Sequence, residues 1–299
     1  MSNTEIIENE IERQIQSNDI PIRKSKIGKK MAFIQISDTM NFELKRNKKK
    51  VLMMLIFFGC IFLLFLLVQQ LQEYAGSELP EDPLTYISSY LSMIGMVIII
   101  SSSLFAGSII ADDYQKGTRN LLFPKIGKTR LLIGRIIILF LLNSLCISFY
   151  YMLISIITFI KYAMIPISIL ESLGWALFYC FTLFSFVTFI SSFMKSTSYS
   201  IIVSILLLLI VFTMLDSVLM FTGITEYIEP FFLITYYENI IIHCFDMPDP
   251  RYGSPIPSGP LSEFTTWLTP SAQGAFTGML IYSAILLICA YIFFRIRQK

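Results

Sequence analysis

The segment Phe105–Arg135, FAGSIIADDYQKGTRNLLFPKIGKTRLLIGR, is a charged island between two long apolar runs of the sequence. It contains two adjacent carboxylates, Asp112 and Asp113, followed by a Gly-Thr pair and several basic residues. A plain connector between two membrane helices needs only a few residues. This one also has apolar residues, from Leu121 to Phe123, at a spacing that predicts a short helix lying flat beneath the membrane.

The runs on either side of the island predict a membrane protein. Of the 299 residues, 55% are hydrophobic and only 15% are charged, and several apolar runs exceed the roughly 18 residues that mark a candidate membrane span. Every backbone amide in hydrocarbon must be hydrogen-bonded within the chain, which favours helices. We therefore predict an all-α polytopic membrane protein with six transmembrane helices. The predicted spans are residues 51–70, 86–111, 131–160, 170–194, 199–221 and 275–294.

The first 50 residues are polar and predict a cytoplasmic N-terminal segment, followed by the six-span transmembrane domain over residues 51–299. Within this segment, four apolar residues fall close to one helical face, just before a basic cluster. They are Phe33, Ile36, Met40 and Leu44. This pattern predicts an amphipathic helix over about 31–46 that lies in the headgroup layer, where its lysines contact anionic lipid.

Basic residues predict the orientation of the chain. Of the 23 Lys and Arg residues, 21 lie before span one, in the island, at Lys195 or at the C-terminus, and only Lys161 and Arg251 lie on the other side of the predicted membrane. The positive-inside rule then places both termini and the island in the cytoplasm. The outer loop over about 222–274 is long enough to predict short helices of its own.

The island also resembles the permease subunit of ABC transporters of the type-2 exporter class. In that family, span two ends in a Phe-x-Gly pattern and an acidic residue, followed by Gly-Thr, a coupling helix and a Gly-Lys pair in span three. The corresponding positions are Phe105, Gly107, Asp112 or Asp113, Gly117, Thr118, Lys128, Gly134 and Arg135. The sequence departs from the family with Asp where Glu is usual, with Pro124 about one position early, and with Arg135 in place of Lys. The string from Phe42 to Arg46 is similar to the elbow helix that leads into span one of these permeases.

This resemblance implies the permease subunit of an ATP-driven exporter in the plasma membrane, which forms the translocation path as a homodimer or a heterodimer. A cytoplasmic coupling helix between spans two and three would contact separate ABC ATPase subunits. The expected ATPase-coupling residues are Asp112, Asp113, Gly117, Thr118, Arg119, Leu122, Phe123 and Lys128. The chain itself is expected to be no enzyme and to hold no cofactor, with ATP and Mg²⁺ on the partner. Membrane lipid is a further expected partner, and nucleic acid is not.

Two local patterns suggest other chemistry and are weaker. Gly127-Lys128-Thr129 reads as the end of a phosphate-binding loop, but Leu122 stands where that motif requires its first glycine. His243 has cysteine and aspartate neighbours, yet a lone histidine in an interfacial loop favours polar surface over a metal site. We therefore predict no metal site and no nucleotide site on this chain.

Polar residues within the spans are sparse, and Asn143 and Asp216 are the candidates for the translocation path. Asp216 lies late in span five, so an acid at the outer headgroups is the simpler interpretation. Three alternatives to an exporter subunit stay open. They are an ABC-type module that transduces force or signal without transport, a polytopic membrane enzyme, and a secondary transporter. The sequence leaves the substrate undetermined.

Overall fold

A computed structural model describes residues 29–76, 80, 82–112, 128–222, 228–254 and 265–296 of the chain. The fold is mostly helical. Within the described residues, five helices are long and apolar enough to cross a membrane, and a bent helix pair raises this number to six if the pair is one span. These helices fit a membrane-embedded protein. Residues 1–28 and the middle of the island, residues 113–127, lie outside the described residues.

The long helices overlap the predicted spans, because long apolar runs form helices in lipid. In chain order they are α1 (Lys29–Tyr74), the bent pair α2 (Pro83–Leu91) and α3 (Ile94–Ala106), α4 (Lys128–Tyr162), α5 (Ser168–Phe193), α6 (Thr197–Leu206) with α7 (Phe212–Thr222), and, after the outer loop, Ala272–Ile296.

The first helix differs from the prediction of a separate elbow before span one. Residues 29 to 74 form one continuous helix of 46 residues, and no glycine or proline interrupts the sequence between Lys29 and Phe58. At 1.5 Å per residue, such a helix is roughly 70 Å long, about twice the thickness of the hydrocarbon core. The predicted elbow, about residues 31–46, is helical and continuous with span one, and its place in the headgroup layer remains a prediction.

The predicted span two, residues 86–111, is a bent pair of helices, which its hydropathy does not reveal. The pair α2 and α3 is bent by 40° at a short break. Before the break, the hydroxyls of Ser88, Ser89 and Ser92 each donate to a backbone carbonyl three residues earlier. Such bonds compete with the helical hydrogen-bond ladder and favour a bend.

Span five is also irregular, because a π-helical turn, Leu207–Val211, joins α6 to α7. A π-helical turn inserts an extra residue into the helical hydrogen-bond ladder and often marks a functional site.

The outer loop contains the short helices that its length predicts. A 3-10 helix, Ile234–Asn239, leads into a single turn of α-helix, α8 (Ile240–His243). Ile240 and Ile241 are fully buried, and the Ile241 carbonyl accepts a 2.7 Å hydrogen bond from Ser172 of α5. The loop therefore packs into the helix bundle.

The prediction of an all-α fold missed one small element in this loop. Two-residue strands, β1 (Tyr252–Gly253) and β2 (Thr266–Trp267), pair antiparallel, with Tyr252 opposite Trp267. The Arg251 guanidinium lies over the Trp267 ring at 5.2 Å and pairs with Glu229 at 3.1 Å. These side-chain contacts join positions far apart in the loop, which local sequence patterns do not reveal. The last helix, Ala272–Ile296, is α9.

The core of the bundle lies between α3, α4 and α5, against one face of α1. Phe58 of α1 contacts Tyr150 of α4 at 5.8 Å between ring centroids, and Phe178 of α5 stacks on Phe276 of α9 at 5.1 Å. By contrast, most of the apolar surface of α1, α6 and α7 is exposed, including Leu63, Leu64, Met214 and Val218. Those faces are suited to lipid or to another protein chain.

Candidate functional site

The site with the most unusual chemistry is a buried set of charges where α1, the end of span two and the start of α4 meet. Arg135 of α4 is only 2% exposed, and Glu43 of α1 is fully buried. The Arg135 Nε donates to the Glu43 Oε1 at 2.9 Å. A buried ion pair is costly to desolvate and persists only with good geometry and further hydrogen bonds.

Those further bonds come from the next turn of α1. Arg46 Nη2 lies 2.7 Å from the second oxygen of Glu43, and Asn47 Nδ2 donates to that same oxygen at 3.1 Å. The Arg46 Nη1 then reaches the Asp112 carboxylate at 3.1 Å. The result is one chain of alternating charges, Arg135–Glu43–Arg46–Asp112, that we call the basal ion-pair chain. It joins α1 and the end of span two, which precede residues 113–127, to α4, which follows them.

Cations also hold the C-terminal turn of α3, where backbone carbonyls carry partial negative charge. Arg135 Nη1 donates to the Ile109 carbonyl at 3.1 Å. Lys50 Nζ donates to the Leu104 carbonyl and to the Ser108 hydroxyl, each at 3.3 Å. The end of span two is thereby tied to both α1 and α4.

A serine of α5 fixes the same turn from the other side. Ser191 Oγ accepts the backbone N–H groups of Ile110 and Ala111 at 3.3 and 3.1 Å, and it donates to the Gly107 carbonyl at 3.1 Å. One hydroxyl thus bonds three backbone groups of the turn that follows α3.

Gly134 explains why α4 approaches α1 closely at this level. A Cβ at Gly134 would meet the Thr39 side chain at 3.2 Å and the Ile36 carbonyl at 3.3 Å. Small residues permit such close helix packing in lipid. The glycine beside Arg135 brings that guanidinium within reach of Glu43.

The predicted coupling residues divide into two groups. Asp112 is buried and belongs to the basal ion-pair chain, and Lys128 opens α4. The others lie outside the described residues. They are Asp113, Gly117, Thr118, Arg119, Leu122 and Phe123. Sequence reasoning did not select Glu43 or Arg46 as site residues, although a single acid before a basic cluster was a usable signal.

The path candidate Asn143 lies between spans two, three and four. It is fully buried, and its Nδ2 donates to Ser102 Oγ and to Cys180 Sγ, each at 3.1 Å. Polar bonds between helices are a common way of joining helices in membranes. This position favours a role in helix packing, and a role on the path remains a prediction.

The path candidate Asp216 lines a cavity of about 230 Å³. Its walls come from α3, the π-helical turn, α7 and the 3-10 helix of the outer loop, and a second carboxylate, Glu238, also lines it. Tyr179 of α5 donates to Glu238 at 3.4 Å. Burial raises the pKa of Glu238 to about 7, although the Tyr179 hydrogen bond opposes that shift. The sequence did not single out Glu238, because it lies in a loop.

A second cavity, of about 390 Å³, is lined by Asp82, His243 and Asp246. Burial lowers the pKa of His243. Within the described residues, no group of three or more His, Cys, Asp or Glu side chains is arranged to hold a metal ion.

Comparison of the chain with protein-family models gives no match, and comparison with curated proteins gives none either.

Proposed function

We propose that this chain is the permease subunit of an ATP-driven ABC exporter, which forms the translocation path and couples to separate ATPase subunits through residues 112–130. The observation that carries the proposal is the basal ion-pair chain. It connects α1 and α4 to Asp112, the last described residue before residues 113–127.

The ion-pair chain supports a mechanical role for this segment. A connector with no such role does not need a buried arginine and a buried glutamate, which cost free energy to desolvate. With them in place, a force on residues 113–127 reaches span two through Asp112 and span three through α4. Arg46 and Glu43 pass the same displacement to α1. ATP and Mg²⁺ would be bound by the partner, and this chain would convert the partner's movement into a movement of its spans.

The exposed apolar surface supports the proposed dimer. Spans one and five have few buried residues within this chain, and large side chains such as Leu64 and Met214 are more than half exposed. We propose that a second permease subunit covers part of these faces and that lipid covers the rest. We further propose a location in the plasma membrane with both termini in the cytoplasm, which the distribution of Lys and Arg supports.

Co-purification tests the coupling proposal directly. The chain carrying an affinity tag is extracted from native membranes in mild detergent, and the eluate is assayed for ATP hydrolysis and for ATPase subunits by mass spectrometry. Phe123→Asp should remove both, since a charge replaces an apolar anchor of the proposed interface. The matched control is Tyr74→Asp, because Tyr74 lies at the far end of α1 and is 93% exposed. If Phe123→Asp together with Asp112→Ala leaves both signals intact at normal membrane levels, the coupling proposal is wrong.

A further inference from the structure

Three irregular segments meet at the Asp216–Glu238 cavity. The bend between α2 and α3, the π-helical turn of span five and the 3-10 helix of the outer loop all contribute to its surroundings. Glu238 lies so close to Gly95, just after the bend, that a Cβ at that glycine would overlap its carboxyl group. The absence of a side chain at Gly95 therefore makes room for this carboxylate.

The polar groups of the cavity wall are suited to a cation. Six polar side chains line it, namely Thr213, Asp216, Thr235, Tyr236, Glu238 and Asn239. Two of these are carboxylates, and no Lys, Arg or His is among the described residues of the lining. The rest of the wall is apolar, from residues such as Met96 and Leu208.

The two carboxylates have few partners within the protein. Among the described residues, Asp216 has no hydrogen bond and no ion pair, and Glu238 accepts only the long 3.4 Å bond from Tyr179 to one of its oxygens. Glu238 is half-buried and Asp216 is exposed, and both lie at the wall of the same open volume. Because no cation is among the described residues of that wall, a positively charged ligand would supply the partner that the protein does not.

We infer that this cavity binds a small organic ammonium ion. A bare metal ion fits less well, because the described residues bring only two carboxylates to the cavity. At roughly 30 Å³ per water molecule, 230 Å³ corresponds to a ligand of several heavy atoms. Tyr236 adds an aromatic residue to the lining, and aromatic rings attract quaternary ammonium groups. The inference goes beyond the proposed coupling role, and it holds or fails without any ATPase.

Binding should depend on pH in a direction that the surroundings of Glu238 fix. Tyr179 of α5 is hydrogen-bonded to it, Gly95 of α3 lies against it, and the titratable groups that line the cavity with it are Asp216 of α7 and Tyr236 of its own helix. None of these is a cation. Burial holds the pKa of Glu238 near 7, so the site gains the negative charge of Glu238 as pH rises through that value. Ammonium affinity should therefore increase between pH 6 and pH 8.

The experiment uses the purified full chain in nanodiscs of phosphatidylglycerol, and choline is the probe. Choline keeps its charge at every pH, so any pH dependence belongs to the protein. Binding is measured by equilibrium dialysis of radiolabelled choline at pH 6 and pH 8. The uncharged isostere 3,3-dimethyl-1-butanol serves as competitor, because it has the same shape without the charge. We expect choline to bind about tenfold more tightly at pH 8 and the isostere to compete poorly.

Isosteric neutral variants locate the site. Asp216→Asn and Glu238→Gln should each weaken choline binding about tenfold or more, and Glu238→Gln should also abolish the pH dependence. The matched control is Asp246→Asn, which removes a carboxylate of the same outer region that lines the other cavity. Size-exclusion profiles and thermal unfolding of each variant identify any that misfold, and Asp216→Asn then provides an independent test if Glu238→Gln is unstable.

Three results would overturn the inference. One is the absence of choline binding to the wild-type chain in these nanodiscs. Another is equal loss of binding in the Asp246→Asn control. The third is displacement of choline by the isostere or by sodium chloride at equal concentration, which would show that the site does not recognise an organic cation. Reduced binding of free choline in phosphatidylcholine nanodiscs would support the ammonium site and identify the lipid headgroup as a ligand.

Discussion

The Arg135 guanidinium of α4 and the Glu43 carboxylate of α1 lie 2.9 Å apart, and both side chains are almost completely buried. The two residues are separated by 92 positions in the sequence. Such a pair is costly to break, because without Arg135 the buried Glu43 keeps only the partly exposed Arg46 as a cationic partner among the described residues.

Arg135→Met should therefore destabilise the folded chain by about 3 kcal/mol or more. Thermal unfolding in detergent provides the measurement. Arg295→Met is the matched control, since Arg295 is exposed near the end of α9, and it should change little. Adding Glu43→Gln to Arg135→Met should recover part of the loss. If Arg135→Met and Arg295→Met destabilise the chain equally, the assignment of a buried ion pair is wrong.

Gly95→Ala should destabilise the chain by about 2 kcal/mol, because the added methyl group overlaps the Glu238 carboxyl and forces the 3-10 helix to shift. The chain offers a matched control in Gly59→Ala. Gly59 lies within α1, and a Cβ there meets nothing within 4 Å. That control should be neutral or slightly stabilising, because alanine is the better helix former. If the two melting curves coincide, Glu238 does not pack against span two.

Ser191→Ala should cost about 1 to 3 kcal/mol, since it leaves the buried N–H groups of Ile110 and Ala111 without an acceptor. Ser185→Ala is the comparison, because its buried hydroxyl donates only to the Phe181 carbonyl of its own helix. Unfolding by heat should separate the two variants clearly. A Ser185→Ala loss as large as that of Ser191→Ala would mean that the hydroxyl does not hold the end of span two.

The free energy of unfolding should fall as pH rises from about 4.5 to 7, because Glu238 loses its proton less readily in the folded chain than in the unfolded chain. The pKa of this group is raised in the folded chain to about 7, so the folded state binds the proton more tightly than the unfolded state does over that interval. Linkage then gives a loss of roughly 2 kcal/mol between pH 4.5 and pH 7. The difference between wild-type and Glu238→Gln melting curves isolates this term from other titrating groups. A difference that does not vary with pH would contradict the raised pKa.

The sequence predicted most of the helices because their cause is local. A run of apolar residues must form a helix wherever hydrocarbon replaces water, and the run itself marks the boundaries. Span four was predicted at 170–194 and is found at Ser168–Phe193, and span six was predicted at 275–294 and is found at Ala272–Ile296. The bend within the predicted span two, residues 86–111, was not predicted, because hydropathy carries no signal for it. The bend coincides with serine hydroxyl bonds to the backbone and with a loop carboxylate that comes from more than a hundred residues away.

The site residues also divide into those that local sequence identifies and those that only the packing of the helices identifies. By itself the sequence determined that Asp112 and Arg135 flank a charged segment between two apolar runs, and that Asp216 is a rare acid within a span. Only the tertiary structure decided that Glu43 pairs with Arg135 and that Glu238 shares a cavity with Asp216. Hydropathy depends on neighbours along the chain, so it identifies which residues leave water. The partner that compensates a buried charge is chosen by how the helices pack, and that choice joins positions with no local pattern in common.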